Sequence, residues 1–336
     1  MGALFNNLNA WMESQGMWLP IVLFVIGLVC LIKGGDWFVD GAVGIAHRFQ
    51  LPELLIGATV VSVGTTLPEV MVSCQAALQG NSGISYGNAI GSIICNTSLI
   101  AAITVAVKPG PVSTDSLRIP AGFFTLAAVI YLGIALFTGR FERWQGFMFL
   151  AIFIIYMILS VRSMKDHPEE ETENEQTAET PIFKDILFLV LGAAAIAVGA
   201  NLLVNNGTLI AQWLGVPDSV IGLTMIALGT SLPELITAIT SLMKGHGALS
   251  LGNIIGANLF NIVLVSGAAI SLSPFSIPAE RTIAGINSSF VVDLPVVVLV
   301  MAILCLPTFI SKKLSRWQGV LLLCIYAAFT VYQFLA

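Results

Sequence analysis

The sequence predicts an all-α polytopic membrane protein with ten transmembrane helices in two inverted five-helix repeats. Three observations carry that prediction. The 336 residues are 57% hydrophobic and 10% charged, with a mean hydropathy of +0.92, whereas soluble domains carry about 25% charged residues. Apolar runs of about 20 residues, the length that crosses a bilayer, recur along the whole chain. One register relates the two halves: 165 residues separate Gly34 from Gly199, Pro52 from Pro217, Gly57 from Gly222, Glu69 from Glu234, Gly87 from Gly252, Asn88 from Asn253, Gly91 from Gly256 and Asn96 from Asn261.

Taken in order, the apolar runs fall at residues 18–47, 53–79, 83–105, 119–138 and 144–161, then at 182–213, 218–243, 248–270, 286–308 and 316–335. Residues 162–181 form the one extended polar stretch and separate a first half, 1–161, from a second, 182–336. The first and sixth runs are longer than a hydrocarbon core is thick, so they require strong tilt. Residues 1–16 lack a basic n-region and a small-residue cleavage pattern, so the first run is expected to stay as a span. Trp18, Trp144, Trp213 and Trp317 lie near span ends, where indole rings anchor at the interface. Cys30, Cys74, Cys95, Cys305 and Cys324 all fall inside apolar runs, where cysteine behaves as a small hydrophobe. Neither a disulfide nor a thiolate metal site is expected.

Lysine and arginine set the orientation. One side of the membrane collects Arg48, Lys108, Arg118, Arg162, Lys165, Lys184, Lys244, Lys312, Lys313 and Arg316, and the other only Arg140, Arg143 and Arg281. The positive-inside rule then places the central stretch in the cytoplasm and both termini outside. Five spans per half is an odd number, so the halves must face opposite ways. That is the inverted-repeat plan of secondary transporters, with the substrate site near the midplane. The register slips late in the chain, where Arg143-Trp144-Gln145-Gly146 and Arg316-Trp317-Gln318-Gly319 stand 173 residues apart.

The net charge of −5 says little about partners, because seven acids (Asp166, Glu169, Glu170, Glu171, Glu173, Glu175 and Glu179) sit in the central stretch. That stretch has neither EF-hand spacing nor apolar residues for a core, so it reads as a disordered linker. The lipid bilayer is the expected partner, with no nucleic acid, and a monomer is expected.

The chemistry lies in two echoing stretches, Gly64-Thr65-Thr66-Leu67-Pro68-Glu69 and Gly229-Thr230-Ser231-Leu232-Pro233-Glu234. A carboxylate at the bilayer centre costs at least about 2.5 kcal/mol, so an intramembrane Glu is a functional hypothesis by default. Each proline frees a backbone carbonyl four residues earlier. Thr65 and Glu69 share a helix face, as do Thr230 and Glu234, and Ser62 and Ser73 extend the first face. Hydroxyls in membrane helices commonly bond back to their own helix, and Ser73 is expected to do so. The following spans carry a polar stripe at every fourth position: Asn88, Ser92 and Asn96, echoed by Asn253, Ala257 and Asn261. Gly87 with Gly91, and Gly252 with Gly256, are small-residue pairs that let another helix approach. Asn88 and Asn253 read equally as ligands or as interhelical glue, while Asn96 and Asn261 read as site residues.

Two carboxylates, two amides, hydroxyls and loosened carbonyls make a hard-oxygen set. It suits Na⁺, Ca²⁺ or Mg²⁺ rather than zinc or copper, and its flexibility favours Ca²⁺ over Mg²⁺. Two ionised glutamates balance one Ca²⁺ or two Na⁺, so the ions compete for one site and antiport follows.

These stretches, with GNAIGSIICN, GNIIGANLFN and the KGGDWFVDGA run from Lys33 to Ala42, resemble the alpha-repeats of the Ca²⁺/cation antiporter superfamily, in its prokaryotic Na⁺/Ca²⁺ exchanger branch. The resemblance implies Ca²⁺ ligands at Glu69, Glu234, Thr65 and Thr230. It implies Na⁺ ligands at Ser62, Thr66, Ser92 and Asn96 in the first half and Ala227, Ser231 and Asn261 in the second, with Ser62 and Ala227 acting through backbone carbonyls. It also implies alternating access by sliding of the first and sixth spans, and no cofactor. Ala257 stands where the first half has Ser92, which removes one hydroxyl ligand. Asn261 stands where K⁺-dependent relatives have Asp, which argues against K⁺ dependence, and the chain lacks the GNATE-type motif of the proton-coupled branch. The rivals are an H⁺/Ca²⁺ or Mg²⁺ antiporter on the same scaffold and, more distantly, a cation channel. No nucleophile–base pair accompanies the glutamates, so no enzyme is expected. Asp36 and Asp40 align with Asn201 and Asn205 and read as structural or cavity-entrance residues; Glu53 and Asp218 read as helix caps.

Overall fold

A computed structural model describes residues 18–166, 181–213, 227–278, 282–283 and 285–335. The described chain is a polytopic helical membrane fold. Eight helices are long and apolar enough to cross a membrane by length and composition. They are α1 (Trp18–Arg48), α2 (Glu53–Leu78), α3 (Ser82–Val107), α4 (Thr114–Thr138), α5 (Arg143–Asp166), α6 (Ile182–Trp213), α8 (Gly247–Leu272) and α9 (Ser289–Ser311). The seventh expected span falls partly on residues 214–226, outside the described residues. What is described of it is a helical turn, Ala227–Thr230, followed by α7 (Leu232–Lys244). The tenth corresponds to α10 (Arg316–Leu335), of 20 residues.

Several ends differ from expectation for local reasons. α4 starts five residues before 119, where Ser113 caps it by accepting from the Ser116 amide. α9 starts at Ser289 rather than 286, because Ile286–Asn287 pairs with Thr282–Ile283 around Gly285, whose φ of +81° suits glycine. α5 runs on to Asp166, five residues into the expected linker, and most of the acid run lies outside the described residues.

α8 is the central rod. Every residue from Leu249 to Phe260 is buried, and the helix packs against α2, α3, α4, α5 and α7. Its approach to α2 is made by glycine. A Cβ on Gly252 would overlap the Leu54 carbonyl oxygen, one on Gly57 the Leu249 carbonyl oxygen, and one on Gly256 the Ser62 hydroxyl. Gly87 and Gly91, the sequence equivalents of Gly252 and Gly256, have nothing within 4 Å of such a Cβ. The close approach expected of both glycine pairs is therefore realised in the second half alone. Tyr156 of α5 donates to the Ala58 carbonyl at 2.7 Å, inside the π turn Gly57–Val61, and stacks edge-on with Phe260 at 5.9 Å.

α1 and α6 form an antiparallel pair with a second glycine seam. Gly27, Gly34 and Gly41 recur every seven residues on α1, and Gly192 and Gly199 do so on α6. A Cβ on Gly27 would stand 2.9 Å from the Gly199 carbonyl oxygen and one on Gly34 2.8 Å from the Ile196 nitrogen. This backbone-to-backbone contact is the small-residue mode of membrane helix association. Arg48 closes one end of the pair on Asp185, at 3.0 Å.

The pair is tied to the rest by apolar packing of Leu31, Phe38 and Ile196 with Leu55, Ile56 and Leu249, and by charged side chains. Lys244, at the end of α7, reaches Asp40 at 2.7 Å and Asp36 at 3.6 Å on α1, which makes both acids structural. Glu53 does not cap α2: Pro52 holds the N-cap position with no side-chain bond. The Glu53 carboxylate instead meets His246 Nδ1 at 2.7 Å and lies 3.7 Å from His47 Nε2. Asp218 lies outside the described residues.

The two glycine environments give a direct test. Gly252→Ala should lower stability by about 3 kcal/mol, as overpacking against rigid backbone does, and Gly87→Ala should change it by no more than about 1 kcal/mol. Thermal unfolding of the purified protein in detergent measures both.

Candidate cation site

The two motif copies fold differently. In the first, α-helix continues from Ser62 to Leu78 through Pro68, and the proline leaves the Gly64 carbonyl without its helical donor. In the second the backbone breaks. Ala227–Thr230 is a single turn, Ser231 has φ −91° and ψ 6°, and α7 starts at Leu232 with Pro233 in its first turn. There the missing amide costs nothing, since first-turn amides have no helical acceptor.

Both glutamates face inward. Glu69 and Glu234 are 0% exposed, and among the described residues none of their four carboxylate oxygens has a partner at hydrogen-bond distance, although the Thr65 and Thr66 hydroxyls lie near the Glu234 carboxylate. They lie within electrostatic range of one another. Leaving one buried polar atom unmade costs about 1–3 kcal/mol, and more when it is charged. Such a set is stable only if something outside the chain completes it.

The matching donors come from α3 and α8. Each helix carries a π turn starting at its deep asparagine, Asn96–Ala101 and Asn261–Ser266, the local widening that recurs at functional sites. The packing is crossed: the turn at Asn261 lies against the α2 segment Ser62–Leu78, and the turn at Asn96 lies against α7. Asn96 is 0% exposed, with neither side-chain atom partnered. Asn261 donates back to the Ala257 carbonyl at 3.0 Å, which leaves its Oδ1 buried and unpartnered. Thr66 and Ser231 add two more buried hydroxyls without partners.

The remaining predicted residues are placed as follows. Thr65 is buried and donates to Asn253 Oδ1 at 3.1 Å. Ser62 is buried, with its hydroxyl bonded to the Gly57 carbonyl at 2.8 Å and the Asn253 carbonyl at 2.9 Å. Ser92 is buried, Thr230 is half-buried, and Ala227 opens the helical turn before the break. The structure thus brings Glu69, Glu234, Thr65, Thr66, Asn96, Asn261 and Ser231 onto facing surfaces of four packed segments. A small cavity lies beside them, bounded by Thr65, Pro68 and Pro233 and closed by Phe38 of α1 and Ala193 and Ile196 of α6.

Two readings change. Ser73 does not bond back to its own helix; it donates to the Ser85 carbonyl of α3 at 3.3 Å and accepts from Asn88 at 2.9 Å. Asn88 also donates to the Glu69 carbonyl at 3.1 Å, so it is interhelical glue. Thr237 and Ser241 were not singled out by sequence. Both are 0% exposed with unpartnered hydroxyls, and they follow Glu234 by three and seven residues, on the same face of α7. That spacing was the available signal.

Comparison with known proteins agrees with the geometry. A family model described as sodium/calcium exchanger protein matches residues 19–162 and 184–335. The sodium/calcium exchanger MaX1 of Methanosarcina acetivorans is 31% identical over 93% of this chain and 98% of its own length. The putative antiporter CaxA of Alkalimonas amylolytica is 36% identical over 95% and 99%. A solved structure of the sodium-calcium exchanger NCX_Mj, soaked with zero Na⁺ and Ca²⁺, aligns with a TM-score of 0.77 and 31% identity over 94% of this chain and 99% of that one.

If the orphaned oxygens are ligands, a bound cation must stabilise the fold by linkage. At about 100 times its dissociation constant, Ca²⁺ should add about 2.7 kcal/mol. The unfolding temperature of the purified protein should rise with Ca²⁺, and Glu69→Gln or Glu234→Gln should remove that rise.

Proposed function

The chain belongs to the sodium/calcium exchanger family, in its prokaryotic type, and from that premise we propose that it exchanges Na⁺ for Ca²⁺ across the membrane at one midplane site shared by Glu69 and Glu234. The observation that carries the reading is the burial of both carboxylates with no partner at hydrogen-bond distance among the described residues.

The chemistry follows from charge. Ionised, the two glutamates supply two negative charges, matched by one Ca²⁺ or by two Na⁺. Filling the site with both ions would leave uncompensated positive charge in a low-dielectric region. Binding of one therefore expels the other. Glu69, Glu234, Thr65 and Thr230 would hold Ca²⁺; Ser62, Thr66, Ser92, Asn96, Ala227, Ser231 and Asn261 would complete Na⁺ positions. Transport moves net charge whenever more than two Na⁺ cross per Ca²⁺.

We infer ten spans, with residues 1–161 and 182–336 as oppositely oriented halves, residues 162–181 as the cytoplasmic linker and both termini outside. The crossed packing of the two π turns supports this arrangement, since the turn that begins at each half's asparagine lies against the motif helix of the other half. α1 and α6 would move as one body across the site, because their seam is backbone against backbone while their contacts with the core are made by side chains, apolar ones and the Lys244 ion pairs. The expected location is a prokaryotic inner membrane.

Purified protein in liposomes should take up radiolabelled Ca²⁺ when Na⁺ is loaded inside and diluted outside, and collapse of the Na⁺ gradient should stop uptake. Absence of Na⁺-dependent uptake would sink the proposal. Glu69→Gln and Glu234→Gln should each bring uptake to background. Ser73→Ala removes a link between α2 and α3, so it should cost about 1 kcal/mol of stability and leave the Ca²⁺ requirement unchanged.

A further inference from the structure

Asn253 stands where Asn88 stands in the first half, but the two do different work. Asn88 is partly exposed and donates its amide protons to the Glu69 carbonyl and the Ser73 hydroxyl. Asn253 is 0% exposed, and its amide oxygen accepts from the Thr65 hydroxyl of α2 at 3.1 Å. The Ser62 hydroxyl lies 3.2 Å from the same oxygen, but its single proton has a nearer acceptor in the Gly57 carbonyl at 2.8 Å. Ser62 also reaches the Asn253 backbone carbonyl at 2.9 Å. The contact exists because Gly57, Gly252 and Gly256 let α2 and α8 touch backbone to backbone at this level.

A hydroxyl has one proton and two lone pairs, and it binds a cation only through oxygen, with the proton turned away. In a buried site a hydroxyl with no acceptor behind it would aim its proton at the carboxylate opposite. Thr65 faces such a choice, since the Glu234 carboxylate lies across from it as well. We propose that Asn253 is a positioning residue for the transported cation: its amide oxygen takes the Thr65 proton, so that Thr65 presents lone pairs to the ion, while Ser62 is tied to the same asparagine. The proposal rests on the exchange reading for the identity of the ion. It goes beyond that reading in assigning to α8 the orientation of ligands carried by α2.

Three variants separate orientation from packing. Asn253→Leu keeps the volume and removes the acceptor. Asn253→Asp keeps the acceptor and the shape. Thr65→Val removes the proton that Asn253 receives. Two readouts are needed on each: the Ca²⁺ concentration that half-saturates thermal stabilisation of the purified protein, and the same constant for Na⁺-driven Ca²⁺ uptake alongside the maximal rate.

Asn253→Leu should raise the half-saturating Ca²⁺ about tenfold, equivalent to about 1.4 kcal/mol, with a smaller change in maximal rate. Asn253→Asp should bind Ca²⁺ at least as well as the parent. Adding Asn253→Leu to Thr65→Val should cost less than the product of the two single effects, because both remove one interaction. A packing role gives the opposite order, with leucine tolerated and aspartate harmful, and that order overturns the proposal. Unchanged half-saturation in Asn253→Leu, or fully multiplicative effects in the double variant, also overturns it. If Asn253→Leu does not fold, loss of Ca²⁺ binding in Asn253→Asp suffices to overturn it, since that amide would then be donating. Ca²⁺ stabilisation of the parent without Na⁺-driven uptake removes the antiport reading and leaves the Asn253 comparison intact; no Ca²⁺ stabilisation of the parent removes both.

Discussion

Two carboxyl groups with no partner among the described residues, held at full burial in an apolar bundle, set the terms for everything packed around them. Charges in such a place are tolerated only when geometry and counter-charge are both good, and on the exchange reading proposed above the chain supplies the geometry and the cargo the counter-charge. The surrounding structure serves that division. α8 is buried along its whole central stretch and gives α2 a rigid wall. Glycines at 57, 252 and 256 set the spacing, and the π turns at Asn96 and Asn261 carry the amides inward.

Duplication has not produced identical halves. The first motif runs as unbroken helix through Pro68, whereas the second breaks at Ser231 and restarts with Pro233 in its first turn. Asn96 has both side-chain atoms unpartnered, while Asn261 ties its nitrogen to its own helix and offers an oxygen alone. Gly252 is a contact and Gly87 is open. Each half therefore contributes different atoms to a common site. An ion with an irregular oxygen shell, as Ca²⁺ accepts, is better served by such a mixture than by a symmetric cage.

Much of this was legible in residue order. Intramembrane Glu69 and Glu234, the proline beside each and the constant offset of 165 residues pointed to the candidate site, because those residue types are expensive in lipid. What stayed hidden was pairing. Asn88 and Asn253 are the same residue in the same register, and which of them donates or accepts depends on how closely the neighbouring helix approaches, a distance that no single position encodes. Glu53 looked like a cap because it starts a helix; of the imidazoles that claim it, His47 ends the preceding helix and His246, the nearer, comes from a segment remote in sequence. Ser73 was misread for the same reason, its acceptor lying on the next helix.

The lengths of α1 and α6 have a consequence of another kind. At 31 and 32 residues, and about 1.5 Å of rise per residue, each extends roughly 46–48 Å, against a hydrocarbon layer about 30 Å thick. Val22, Val25, Ile26, Val29 and Ile32 line the outer side of α1, so lipid tails are its solvent. A helix pair that overshoots its bilayer settles at an inclination fixed by hydrophobic mismatch, and that inclination changes with acyl-chain length. Lipid composition thereby enters the energetics of the pair on the same footing as its own side chains, and a thinner or thicker bilayer would bias its resting position with no change in sequence.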